Sequence, residues 1–123
     1  MTLPAAPFTR RHALLAAATA LPAWRASAQA RFPERPITLV VPFAPGGIAD
    51  IMARRMANEL TATLKTSVVV QNKGGGSAII GTQAVAKAAP DGYTILFTPN
   101  TPLSINPLLR KNLPYNVSKD LEI

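Results

Sequence analysis

Ile37-Thr-Leu-Val-Val41 is a short apolar, β-branched run that ends in Pro42-Phe-Ala-Pro-Gly-Gly47, and a helical pattern opens directly behind it. An apolar run without alternation fits a strand buried on both faces of a parallel sheet. Strand, tight loop and helix in that order bring the loop N–H groups and the helix N-terminus to one spot. Unpaired donors and the positive end of the helix dipole favour an anion there. The loop has neither the Lys-Ser/Thr of a nucleotide P-loop nor the G-x-G-x-x-G of a dinucleotide turn, so a small carboxylate fits it better than a polyphosphate.

The same alternation continues downstream. Apolar residues recur at Ile48, Ile51/Met52, Met56, Leu60 and Leu64, which predicts a helix with these residues as its buried stripe. Val68-Val-Val70 reads as a second strand, and Asn72-Lys-Gly-Gly-Gly-Ser-Ala78 is too glycine-rich for regular structure. A second helix is expected over 79–89, a type I turn over Ala89-Pro-Asp-Gly92, and a third strand over 93–97. The order is β-α-β-α-β, with crossovers long enough to require parallel pairing and right-handed connections. Beyond Phe97 a loop (98–102), a short helix (104–111), extended chain at Leu113-Pro-Tyr115 and the start of another strand at Leu121-Glu-Ile123 are expected.

The chain has 123 residues, which leaves room for one domain at most. Residues 1–30 read as a secretory leader: Thr9-Arg-Arg-His12 precedes an uncharged apolar stretch to Leu21, and Ala28-Gln-Ala30 is a small-x-small cleavage site. The arginine pair fits twin-arginine export, and ordinary Sec leaders also carry it. The stretch is too short to span a bilayer. Export with cleavage near Ala30 implies a periplasmic location for 31–123. The net charge of +7 includes Arg10, Arg11 and Arg25 of this leader. The remaining basic residues are scattered and lack interleaved aromatics, which argues against nucleic acid as a partner. There is no cysteine, and His12 is the one histidine, so no His/Cys metal site is expected in 31–123, nor a cofactor.

Over essentially its whole length, 31–123 resembles the N-terminal third of the periplasmic solute receptors of tripartite tricarboxylate transporters, the Bug family. The resemblance rests on Phe32-Pro-Glu-Arg-Pro-Ile-Thr-Leu-Val-Val-Pro-Phe43, Ala44-Pro-Gly-Gly47 with Asp50, Val68-Val-Val-Gln-Asn-Lys73 and Ile80-Gly-Thr82. It continues in Ala89-Pro-Asp-Gly-Tyr-Thr94, Ile105-Asn-Pro-Leu-Leu109, Leu113-Pro-Tyr115 and Lys119-Asp120. It implies an α/β fold in which 31–123 forms part of the first lobe of a two-lobed binding protein that closes around an organic acid. The chain departs from the family pattern at Ile48, Ser77-Ala-Ile79, Arg110 and Asn116-Val117.

In open parallel sheets ligands lie beyond the carboxyl ends of the strands, and the family's carboxylate site is built from the same loops: 43–50, 72–78 and 98–101. Gly46, Gly47 and Ile48 would offer N–H groups to a carboxylate, directly or through water. The bland reading of the glycine pair is a tight turn. Asp50 opposes an anion; it reads either as a brace for the loop amides and the dipole or as a partner for the ammonium of an amino-acid ligand. Ser77 and Thr98 would supply hydroxyls, Asn100 an amide and Phe43 a wall, each with a capping or core role as the alternative. Lys73 reads as a solvated charge. No nucleophile–base constellation of an enzyme is present.

The leading expectation is thus a receptor that passes a small di- or tricarboxylate, or an amino acid, to membrane transporter subunits, with a sensor kinase as the other compatible partner. With half the clamp outside the chain, weak binding is expected. The competing expectations are a truncated or decayed reading frame without independent function, and the first lobe of an α/β enzyme that holds a phosphate.

Overall fold

A computed structural model describes residues 32–123. The expected leader lies outside the described residues. β1 (Ile37–Val41) lies between β2 (Val68–Asn72) and β3 (Thr94–Leu96), and all three strands are parallel. Ile37 pairs with Val68 and Val41 with Asn72; on the other edge Thr38 pairs with Thr94 and Val40 with Leu96. β1 is apolar throughout because neighbours cover both its edges and both its faces, and only Thr38 escapes full burial. The outer strands instead alternate between half-buried and exposed positions.

Successive β1 side chains point to opposite faces. Leu39 and Val41 pack against Ala53 and Ala57 of α1 (Ile48–Leu64). On the other face, Pro42 meets Gly81 of α2 (Ile79–Ala86) so closely that a Cβ on Gly81 would lie 2.6 Å from the Pro42 Cβ. The two helices therefore cover opposite faces, as right-handed crossovers that run in opposite directions across the sheet, β1 to β2 and then β2 to β3, require.

The bounds of β1 and α1 agree with the sequence pattern, but the stripe of α1 does not. Met56, Leu60 and Leu64 are half-buried, whereas Ile48, Ile51 and Met52 are exposed. Asp50, Ala53 and Ala57 form the buried face. Alanines at that face let the helix approach the sheet closely, and larger side chains would hold it off.

Four further expectations are corrected. α2 ends at Ala86 rather than Ala89, because Pro90 disfavours helical backbone just before it. The 89–92 segment is a bend, with the Tyr93 N–H donating to Asp91 Oδ1 (3.0 Å) and Gly92 at φ 79. The single helix expected over 104–111 is instead a π-helical turn, Thr101–Ile105, running into α3 (Asn106–Leu109). Leu121-Glu-Ile123 joins no strand; it follows α4 (Val117–Asp120), which Asn116 caps by accepting from the N–H groups of Ser118 and Lys119. The buried Tyr115 hydroxyl donates to the Pro102 carbonyl at 2.7 Å and pins the extended 113–115 segment to the π-helical turn.

Candidate functional site

The chain leaves β1 toward the face that α1 covers and β2 toward the face that α2 covers, and the crevice between such diverging loops is where ligands collect in this class of sheet. The loops after β1 and β2 also touch. A Cβ on Gly74 would stand 3.3 Å from the Ala44 nitrogen and the Phe43 carbonyl carbon. The Lys73 N–H donates to the Val41 carbonyl (2.8 Å), which extends the pairing of β1 and β2 into the loops.

Gly47 caps α1 with extended backbone, and no side chain caps this end. The first helical bond runs from the Ile51 N–H to the Gly47 carbonyl (3.0 Å). The N–H groups of Ile48, Ala49 and Asp50 have no helical acceptor, as at every helix start. No acceptor among the described residues takes the Gly47 or Ile48 N–H. Ile48 itself is 80% exposed.

Gly46 behaves differently from the other two amides. At φ 85 it occupies the left-handed region that glycine tolerates, and its N–H donates to Asp50 Oδ2 at 2.8 Å. That amide is tied up internally. Asp50 is correspondingly turned inward: its side chain is 5% exposed, and it also accepts from Arg54 Nε (3.0 Å, Oδ2) and Asn72 Nδ2 (3.0 Å, Oδ1). Arg54 Nη2 reaches Asn72 Oδ1 (3.3 Å), and Asn72 Nδ2 also donates to the Phe43 carbonyl (3.3 Å). This ring of bonds holds the Asp50 carboxyl at about 2, against an ordinary 3.8. The causes are the Arg54 bond first, then the Gly46 amide, then Asn72.

The remaining candidates spread out. Phe43 is half-buried and packs against the Leu39/Val41/Ala53/Ala57 core. Ser77 and Ala78 both adopt positive φ (57 and 71). The Ser77 carbonyl accepts from the buried Asn106 side chain at 2.9 Å, and its hydroxyl accepts from Arg110 Nη2 at 3.4 Å. Thr98 donates to the Pro99 carbonyl (3.1 Å). Asn100 Oδ1 accepts from the Ser104 hydroxyl (2.7 Å), so that oxygen braces the π-helical turn. Arg54 and Asn72 tie the 43–50 loop to the start of the 72–78 loop, Asn106 ties Ser77 to α3, and none of the three stood out as a site residue in the sequence. An Asp–Arg pair four residues apart on one helix was the available signal for Arg54. One groove runs along β3 and 119–123 and is lined by the candidate Thr98; another lies around Leu103, Arg110 and Tyr115. Neither groove includes Gly46, Gly47, Ile48 or Ser77; Gly46, Gly47 and Ile48 form an exposed ledge. Among the described residues no cluster of His, Cys, Asp and Glu is arranged to hold a metal.

The model of the tripartite tricarboxylate transporter family receptor matches residues 52–123. The chain belongs to this receptor family. It is 47% identical over 91 residues to BugT of Bordetella pertussis, a match covering 73% of this chain and 28% of BugT. Among solved structures it is similar to the periplasmic binding protein BugD, with 46% identity, a TM-score of 0.66, and coverage of 72% of this chain and 29% of BugD. It is also similar to a Rhodopseudomonas palustris protein solved with adipate, with 36% identity, a TM-score of 0.67, and coverage of 71% and 29%. The parallel α/β unit described above is thus part of a periplasmic-binding-protein lobe. The chain spans a little over a quarter of the length of the curated relatives it matches. No helix among the described residues is long and apolar enough to cross a membrane.

Proposed function

We propose that this receptor chain captures a small dicarboxylate at the carboxyl end of its sheet and serves membrane transporter subunits in the periplasm. Residues 1–30 act as the export leader, cleaved near Ala30, and 31–123 form the ligand-facing part of an N-terminal lobe. One ligand carboxylate sits at the start of α1, on the N–H groups of Gly47 and Ile48, directly or through water. Gly46 contributes the shape of the loop rather than a donor. Asp50 braces the loop and does not pair with a ligand ammonium. Ser77 from the loop after β2, and Thr98 and Asn100 from the loop after β3, would add polar contacts to the ligand, and Phe43 would wall it. The observation that carries this reading is the pair of unclaimed amides at a helix start, within a chain of a carboxylate-receptor family. The adipate in the Rhodopseudomonas palustris relative favours a dicarboxylate over an amino acid.

Titration of the 15N-labelled full chain with acetate, succinate, adipate and citrate, followed by amide chemical shifts, tests it. The Gly47 and Ile48 resonances are expected to move with adipate or succinate in the millimolar range. Shifts confined to other parts of the chain, or none at saturating acid, would remove the ledge as the site.

A further inference from the structure

A carboxylate in the first turn of a helix is a poor neighbour for an anionic ligand. Asp50 holds that position, with the N–H groups of Gly47 and Ile48 just ahead of it in the chain. Its three partners are not equivalent. The Gly46 N–H and the Asn72 amide orient the carboxylate but bring no net charge. Arg54 alone of the three brings a full positive charge, at 3.0 Å from Oδ2. Of the two salt bridges among the described residues, Asp50–Arg54 is the one at this end of the sheet. Arg54 is 54% exposed and lies one helical turn beyond Asp50, so it faces the brace and not the Gly47–Ile48 ledge.

We infer that Arg54 makes the start of α1 receptive to an anion: it cancels the charge of Asp50, which the loop needs as a hydrogen-bond acceptor, and so lets a carboxylate approach the Gly47 and Ile48 amides. This rests on the carboxylate reading of the ledge. Arg54 touches no ligand and acts only through Asp50. The loop geometry and the loop electrostatics are thereby supplied by different residues, so one can be changed without the other.

A charge ladder at pH 7 separates this from a purely structural role. The full chain is compared with Arg54→Gln, Arg54→Lys, Asp50→Asn and the double variant Asp50→Asn/Arg54→Gln, with adipate as the probe and the Gly47 and Ile48 amide shifts as the readout. Arg54→Gln leaves an uncompensated carboxylate and is expected to weaken adipate binding about 10- to 100-fold, an effect that added salt partly reverses. Arg54→Lys keeps the charge and stays within a few-fold of the parent. Asp50→Asn leaves an unpaired guanidinium and binds at least as tightly as the parent. The double variant is neutral again and recovers to within a few-fold, although it lacks the ion pair.

If Arg54→Gln binds like the parent, or if the double variant is as weak as Arg54→Gln, the inference is wrong while the ledge remains the site. If no acid moves Gly47 or Ile48 in the parent chain, the ledge reading and the inference fall together. Should Arg54→Gln fail to fold, the order of Asp50→Asn, parent and double variant still decides, because a structural role makes both altered chains weaker than the parent.

Discussion

The two ends of the sheet each carry one arginine–aspartate pair, set in different surroundings. At the amino end Arg35 meets Asp91 at 2.6 Å with side chains 60% and 40% exposed, and its guanidinium lies 4.1 Å from the centre of the Tyr93 ring. Tyr93 also accepts the Glu34 N–H on its hydroxyl (2.9 Å) and takes Phe32 against its ring at 4.9 Å. That end is a clasp of rings and solvated charge that fastens the 32–36 lead-in. At the carboxyl end Asp50 is buried, and its oxygens accept from a backbone amide, a guanidinium and an asparagine. Here the pair shapes a loop while leaving the amides ahead of the helix unclaimed. An exposed ion pair contributes little because water and salt screen it, whereas a buried acceptor with several donors fixes the main chain around it.

Substitutions at the two ends should differ accordingly. The largest effect is expected for Gly81→Ala, since the new Cβ would meet the Lys73 carbonyl and Pro42 Cβ at 2.6 Å. Overpacking against backbone should cost about 3 kcal/mol in urea unfolding; a loss below about 1 kcal/mol would mean that the loops after β1 and β2 are not locked together. Asp50→Asn comes next, with a clear loss of thermal stability at neutral pH. It also has a pH signature. A folded-state value lowered from 3.8 to about 2 gives stability that is fully present above the ordinary value and lost as pH falls toward about 2. Between those limits the midpoint temperature of the parent should fall more steeply than that of Asp50→Asn, and equal slopes would show the carboxylate to be less well braced than its bonds indicate. At the amino end, Tyr93→Phe deletes the acceptor for Glu34 N–H but keeps the ring, for about 1 kcal/mol in the same unfolding assay. Asp91→Asn should cost about 0.5 kcal/mol and lose even that in high salt. A larger penalty at Asp91 than at Asp50 would erase the distinction between the ends.

The pattern of residues defines the scaffold better than the ledge. Ile37–Val41 and Ile48–Leu64 are bounded by prolines, glycines and a change of period, which are local signals. The parallel order follows from crossover lengths. The brace around Asp50 is not local: Asn72 reaches it across 22 positions only because β1 and β2 pair with Val41 opposite Asn72. The commitment of the Gly46 amide is hidden for the same reason, because a P-G-G turn looks alike whether its donors face a ligand or an aspartate. The buried face of α1 misled in a simpler way. Periodicity favours the large apolar residues Ile48, Ile51 and Met52, whereas close approach to the sheet selects Ala53 and Ala57. Beyond β3, several prolines and asparagines break the chain into single turns held by Tyr115 and Asn106, which no period describes.

Where the chain passes Gly74 and Gly81, its backbone presses against the backbone of Phe43 and Ala44, the Lys73 carbonyl and the Pro42 ring, with little or no room for a Cβ. That corner can neither be widened nor narrowed by exchanging one residue for another of different size. A side chain of a different size can therefore be accommodated at the exposed positions nearby, Ile48 and Ser77, and not at the corner itself.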